Sequence, residues 1–510
     1  MHKPWHSLVF GILIFSVLGL LSFSFPEQGV RLNSSLALNF PDLNTLLGIH
    51  SSKKDISKII TAVDAIDTSF TIVDPADTKR PLSDVDSSIT AEIENRKRTG
   101  ASSPDTASSS SEFYNTDSSA KLITSIQMRN KNALRKFFDA LYQLKEDPTA
   151  IRVLHYGDSQ IEGDRITDYL RIKLQGQFGG QGPGLISLMP IASSAINRIT
   201  TGEGWDRYNV FTMKDKRVPH SNYGVLAGFS RFSPYKKVGD TNAVVSSSIM
   251  VTTTKFGGAN AMGYKKVKLF YGGAKKRTWC EVYDGPALIA ADSLEAGGIL
   301  RMKEYSVGNG SNTHTLKFKG KDSPDFYAMS LETETGVMVD NIALRGSSGT
   351  FFHQINNSQL KQFYDYLNVK LIILQFGGNS LPAIRDKEMA VNFSNYIRYQ
   401  ISLIKKMAPD ASILFIGPSD MSIKEGTDYV TYPLLETMRN ALKKVVLDSD
   451  CAFFDMYDAM GGKNSMPSWV DQKLAATDYT HFSPQGARKI ATVFYSELIK
   501  EYNLYLKTIH

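Results

Sequence analysis

VLHYGDSQIEGDRI, residues 153–166, is the stretch on which the fold turns. An apolar run of Val153, Leu154 and Tyr156 stops at Gly157-Asp158-Ser159 and passes at once into a polar, helix-compatible segment. The pattern predicts a buried strand, a tight turn and a helix start. Taken alone, such a turn is more often a helix cap, because Asp or Ser satisfies free N–H groups at the beginning of a helix. Its meaning comes from what surrounds it.

Downstream, strand-like and helix-like segments alternate. Short apolar runs at 152–156, 337–344, 370–376, 412–416 and 452–455 predict five buried strands. Helical stretches are predicted over 161–178, 351–367, 388–407, 432–447 and 484–502, and a further amphipathic helix over 120–145 from the spacing of Leu122, Ile126, Leu134, Phe137, Phe138, Leu141 and Leu144. This order predicts an α/β class fold with a doubly wound, five-stranded parallel sheet.

One long interruption breaks the alternation. It follows GGQGPG (179–184) and carries period-two segments such as VVSSSIMVTTT (244–254), YKKVKLFYGG (264–273), TWCEVYDG (278–285) and HTLKFKG (314–320). Short strands with Gly and Asn at their turns predict an inserted β-sandwich. Such an insert either binds carbohydrate or shapes the active-site cleft as a spacer, and both readings stay open. The resulting domain plan is a signal peptide or membrane anchor at 1–25, a linker or stalk of low order at 26–118, the first part of the α/β domain at 119–184, the sandwich at 185–335, and the second part of the α/β domain at 336–510.

The chain's 510 residues are too many for one ordinary core. A net charge of +7, without a dense Lys/Arg block, argues against nucleic acid as a partner. The two cysteines, Cys280 and Cys451, make no metal-ligand spacing and are either buried thiols or one bridge. Leu8 to Phe25 is an uncharged run preceded by Lys3, the pattern of an export signal or an anchor, and Ser22-Phe23-Ser24 offers a small-x-small cleavage pattern. The remainder is therefore expected outside the cytoplasm, in the periplasm or at the cell surface, with a membrane tether if the apolar segment is kept.

In an open parallel sheet, ligands meet the carboxyl ends of the strands. There the sequence places Gly157-Asp158-Ser159, Arg345-Gly346-Ser347-Ser348-Gly349 and Gly377-Gly378-Asn379-Ser380, and the last helix is preceded by Thr477-Asp478-Tyr479-Thr480-His481-Phe482-Ser483-Pro484. Each part has a job in acyl transfer from an ester. Ser159 suits a nucleophile on a strand-to-helix turn. His481 suits the general base, and Asp478 can fix its tautomer. The backbone N–H groups of Ser159 and Gly346 and the Asn379 amide suit an oxyanion hole, with Gly346 expected to lack a Cβ so that the backbone comes close. Singly, each has a plainer reading as cap, turn or surface pair; the joint occurrence in this order changes the odds. Metal, P-loop and paired Cys/His spacings are absent, so no metal or organic cofactor is called for.

This constellation resembles the SGNH (GDSL-type) hydrolase superfamily, whose fold is flavodoxin-like, over 120–185 and 336–505. The family's Ser, Gly, Asn and His blocks map here to Ser159 in GDSQ, Gly346 in RGSSG, Asn379 in GGNS and His481 in DYTH, with Asp478 as the third triad member. Two departures stand out: Gln160 follows the serine where leucine is usual, and Ser380 replaces a frequent aspartate. Both are expected to alter substrate shape or polarity near the serine. With a sandwich between the serine and glycine blocks, the chain looks like bacterial peptidoglycan O-acetylesterases, in which the insert is similar to a carbohydrate-binding module. The resemblance implies a serine esterase that removes O-acetyl groups from cell-envelope carbohydrate, with acetylated peptidoglycan as substrate and partner. An O-acetyltransferase of the same fold and a catalytically inactive glycan-binding protein are the alternatives.

Overall fold

The apolar runs become strands because both of their faces are buried, which leaves no side for polar alternation. In the computed structural model, residues 53–67 and 124–509 are described, apart from 193, 213–214, 236–242 and 309–310, together with a few positions before residue 39. The central sheet is built from β1 (Ile126–Gln127), β2 (Ala150–Gly157), β3 (Gly336–Ala343), β4 (Val369–Gln375), β5 (Ser412–Ile416) and β6 (Ala452–Phe454). Their spatial order is β3-β2-β4-β5-β6-β1. The pairings from β3 to β6 are parallel. The five expected parallel strands are thus present, and a sixth, β1, is added antiparallel at one edge.

Alternate residues of each strand serve two cores. Val153, Val339, Ile373 and Leu414 face one side, which α1 (Ser57–Asp67), α2 (Arg135–Gln143), α3 (Thr167–Phe178) and α7 (Pro484–Ile509) cover. Leu154, Ile342, Ile372 and Phe415 face the other, covered by α4 (Asn357–Tyr366), α5 (Lys387–Met407) and α6 (Leu435–Asp448). This is the doubly wound arrangement, and it sends the strand ends of Gly157, Ala343 and Gln375 to one rim.

The interruption folds as two antiparallel sheets. One contains strands Asn197–Thr201, Val245–Thr253, Thr278–Asp284, Ala287–Leu294 and Thr313–Gly320; the other contains Gly184–Ile186, Asp206–Asn209, Gly228–Arg231, Lys266–Gly272, Arg301–Ser306 and Asp325–Glu332. Ile249, Val251, Leu269, Val282, Leu316 and Leu331 fill the space between them. The insert is fastened to the α/β domain by shared packing: the rings of Phe270 and Tyr327 lie 5.5 and 5.7 Å from that of Phe363 on α4. Tyr156 of β2 donates its hydroxyl to the Val225 carbonyl at 2.9 Å.

A buried ion cluster completes the junction. Arg152 of β2 is 2% exposed and meets Asp340 of β3 at 3.0 Å and Glu332 of the last insert strand. Lys268 reaches Glu332 at 2.6 Å. Burial raises the Glu332 carboxyl, but Arg152 and Lys268 outweigh it and pull it down to about 2.

Several elements differ from expectation. The helix expected over 120–145 is confined to α2; its first residues lie outside the described residues, Ile126 is spent on the edge strand, and the turn through Asn130 and Asn132 separates the two. Local hydrogen bonding by Asn side chains is the physical reason, since Asn130 Oδ1 accepts the Asn132 N–H. The helix expected from 161 begins as a 3-10 turn, Ser159–Asp164, and becomes α-helical only at Thr167, because Gly163 and Asp164 both adopt positive φ. The helix expected from 351 likewise opens with a 3-10 turn and starts in earnest after Asn356, whose side chain caps it. Within 26–118, expected as a linker or stalk, α1 instead docks on the α/β domain, with Ile56 and Val63 buried and Ser468 donating to the Lys54 carbonyl. Most of the rest of that stretch, and most of the apolar segment 8–25, lies outside the described residues. Among the described residues no helix is long and apolar enough to cross a membrane. Cys280 and Cys451 are separate buried thiols.

Candidate active site

β2 ends at Gly157, where a Cβ would stand 2.8 Å from the Ile161 side chain and 3.3 Å from the Gln375 carbonyl oxygen, so a side chain here would have to push Ile161 aside. Asp158 then accepts the Gln160 N–H at 3.0 Å and caps the 3-10 turn. Its capping leaves the next side chain, Ser159, pointing out at the rim. The hydroxyl of Ser159 lies 2.7 Å from Nε2 of His481, across 322 positions of sequence.

His481 is delivered by the turn before α7. Asp478 Oδ1 accepts the N–H groups of Thr480 and His481, both at 3.0 Å, while Oδ2 meets His481 Nδ1 at 2.7 Å. One carboxylate therefore shapes the turn and orients the ring it carries. Partial burial raises the Asp478 carboxyl, but its hydrogen bonds from His481 and Thr480 outweigh this and hold it below the ordinary range. Tyr479, at the crest of the turn, has φ of 54° and stacks on Tyr429 of the hairpin 422–431, with ring centroids 3.5 Å apart. Ser422 of the same hairpin donates its N–H to the Tyr479 carbonyl. Ser483 and Pro484 start the helix as expected, Ser483 Oγ accepting the Gly486 N–H at 3.2 Å.

The two remaining blocks meet the same rim. Asn379, on the 3-10 turn after β4, donates from Nδ2 to Asp158 Oδ2 and to the Ser347 carbonyl, both at 3.1 Å. Both amide hydrogens are thus committed to protein acceptors, and donation to an oxyanion means exchanging one of them. Arg345, beside Gly346, grips Glu162 of the serine turn with bonds of 2.8 and 2.6 Å. Gly346 has φ of 79°, and a Cβ added there would meet nothing within 4 Å. The left-handed backbone is thus a reason for glycine here within the protein itself, beside the expected approach to a substrate carbonyl.

Sequence reasoning missed three parts. Asp158 is buried beside Ser159; burial raises its carboxyl to about 6, against the opposing pull of the Gln160 N–H, His481, Arg165 and Asn379. Gln160, expected to tune the substrate side, is 7% exposed, lines the cavity at Ser159 and ties the turns of Ser159 and His481 together, donating to the Thr480 carbonyl at 2.6 Å and accepting the Phe482 N–H at 3.3 Å. Arg165 adds bonds to the carbonyls of Ser159, Glu162 and Phe482. A polar residue where an apolar one is usual was the signal available for Gln160; Asp158 stood in the turn already read as a helix cap, and nothing local marked Arg165.

Ser159, Asn379 and His481 open onto a cavity of about 140 Å³, walled by Phe376, Pro382, Pro418, Met421 and Met456. It is close in size to an engineered cavity of roughly 150 Å³ that holds a benzene ring, so it admits a short acyl group. Among the described residues no cluster of His, Cys, Asp and Glu is arranged to hold a metal ion.

Comparison with known proteins bears on this geometry. Residues 306–489 match the sequence profile of the GDSL-like lipase/acylhydrolase family. Gly346, Asn379, Asp478 and His481 fall within that match, and Ser159 precedes it on the far side of the insert. A solved peptidoglycan O-acetylesterase is 20% identical with a TM-score of 0.57, covering 73% of this chain and 97% of its own. An acetyl xylan esterase is 13% identical (TM-score 0.25, 31% of this chain, 80% of its own), and a family two carbohydrate esterase from Clostridium thermocellum, solved with cellohexaose, is 12% identical (TM-score 0.22, 59% and 98%). No curated protein is significantly similar along its sequence. The α/β portion has the fold of an SGNH (GDSL-type) hydrolase.

Proposed function

We propose that this SGNH-type domain is a carboxylic ester hydrolase that removes O-acetyl groups from cell-envelope carbohydrate, with O-acetylated peptidoglycan as its substrate, and that the chain is exported to act there. The observation that carries the reading is the hydrogen-bonded row Ser159–His481–Asp478, with 2.7 Å at each step. The small cavity at Ser159 supports a short acyl group over a fatty chain. The sandwich insert and the likeness to a peptidoglycan O-acetylesterase support a glycan as the alcohol part.

The chemistry follows from the placement. Ser159 Oγ attacks the acetyl carbonyl while His481 Nε2 takes its proton, and Asp478 holds the ring and stabilises the imidazolium. The oxyanion is met by the N–H groups of Ser159 and Gly346 and by the Asn379 amide once it releases one protein acceptor. Collapse breaks the bond to the sugar oxygen, which takes the proton from His481 and leaves as the alcohol. Water, deprotonated by His481, then attacks the acetyl-serine and releases acetate.

The test is acetate release from O-acetylated peptidoglycan, acetylated xylan and p-nitrophenyl acetate by wild type and Ser159→Ala. Loss of all release in the variant and preference for peptidoglycan in the wild type are expected. Unchanged turnover by Ser159→Ala would refute the mechanism; preference for xylan would refute the substrate. Acetylation of an added glycan acceptor faster than acetate release would turn the assignment to a transferase.

A further inference from the structure

A cleft lies between the insert and the α/β domain, and the steps above do not use it. Its walls include Glu162 and Gly163 of the serine turn, Leu344 just before Arg345-Gly346, and Asn197, Arg207 and Phe211 of the insert. Glu162 is three residues from Ser159, so the cleft begins at most about 11 Å of chain from the nucleophile. Apolar walls interleaved with amides suit sugar rings, which present apolar faces and hydroxyl edges.

Counting Arg345, which grips Glu162, the cations along this cleft outnumber its carboxylates. Its carboxylates are Glu162 and Asp164. Glu162 is gripped by Arg345, and Asp164 lies 2.9 Å from Arg171. Arg207 is the cation left over: among the described residues its hydrogen bond is a long one, 3.5 Å to the Met189 carbonyl. Surrounding protein lowers its pKa, and among the described residues no carboxylate pairs with it. A guanidinium in that position is matched by a carboxylate supplied from outside.

Resting on the reading of the protein as a glycan esterase, we infer that this cleft seats the glycan beyond the acetylated sugar and that Arg207 pairs with a carboxylate on it, so that the preferred substrate is an O-acetylated acidic glycan.

The experiment compares the full chain on two preparations of O-acetylated peptidoglycan strands, one with free lactyl carboxylates and one with the same carboxylates amidated. The wild type is expected to favour the free carboxylates. Arg207→Ala is expected to cut that preference in kcat/KM about tenfold, the scale of one lost charge-assisted contact, and Arg207→Glu to cut it further. A wild type indifferent to amidation, or an Arg207→Ala protein with the wild-type preference, would overturn the inference. Binding is read separately by calorimetry with deacetylated strands and the Ser159→Ala protein, where adding Arg207→Ala is expected to weaken the free-carboxylate strands about tenfold. If the wild type releases no acetate from either preparation, the esterase reading falls, while equal binding with and without Arg207 is what would sink the cleft.

Discussion

Gln160 donates through Nε2 to the carbonyl oxygen of Thr480 at 2.6 Å, so the turn that carries Ser159 is fastened directly to the turn that carries His481. The proposed nucleophile and base, 322 positions apart, need such a strut if their 2.7 Å contact is to persist. Gln160→Leu is expected to lower kcat on p-nitrophenyl acetate about tenfold, with a smaller change in KM, because misplacement by a fraction of an ångström is felt in the transition state. It also strands the Thr480 carbonyl, a destabilisation of about 1–3 kcal/mol. Steady-state kinetics with a urea melt checks both; wild-type kcat would show that the strut does not position the pair.

Asn379 spends both amide hydrogens on Asp158 and Ser347. If one is exchanged for the oxyanion during reaction, Asn379→Ala lowers kcat by about 10² to 10³. A loss of only a few-fold would mean that the backbone N–H groups serve alone.

Asp158 sets a pH dependence of stability. Its carboxyl is raised by burial to about 6 in the folded protein, from 3.8 ordinarily. A raised folded-state pKa contributes stability that is fully present below the unfolded value and is lost as pH rises through the folded one. The window is therefore between about 4 and 6. Asp158→Asn, which cannot ionise, is expected to gain on the wild type in melting temperature as pH climbs through that window. Parallel melting curves for the two proteins across it would contradict this account.

Arg152 stands between two carboxylates in the junction of insert and sheet. Arg152→Met leaves Asp340 buried without its cation and Glu332 with Lys268 alone, and a loss of about 3–5 kcal/mol is expected in chemical denaturation. Adding Glu332→Gln and Asp340→Asn should recover much of it, since removing the whole cluster also removes the uncompensated charge. No recovery would point to lost packing of the arginine stem instead.

The sheet was legible because a strand buried on both faces writes itself as a continuous apolar run: Lys370 to Phe376 and Ser412 to Ile416 admit few other readings. That Ser159, His481, Asp478, Gly346 and Asn379 gather at one rim was legible for a related reason, since loops at the carboxyl ends of parallel strands are where a doubly wound fold meets its ligands. Helix starts were read less well. Whether Ser159–Asp164 is a 3-10 turn or a helix depends on Gly163 and Asp164 taking positive φ, a choice made by the neighbours that Asp164 and Arg171 engage.

What the sequence determined by itself is the layout, that is, which segments are strands, where the insert begins and which side chains gather at one rim, because each follows from local periodicity and chain order. Tertiary structure alone decided how that rim is held: Gln160 as a strut, Asp158 under Asn379, and Tyr429 stacked on Tyr479. It alone decided that α1 docks and that, among the described residues, Arg207 is left without a carboxylate. The reason is that these depend on contacts between residues far apart in the chain, whose burial and partners no local pattern encodes.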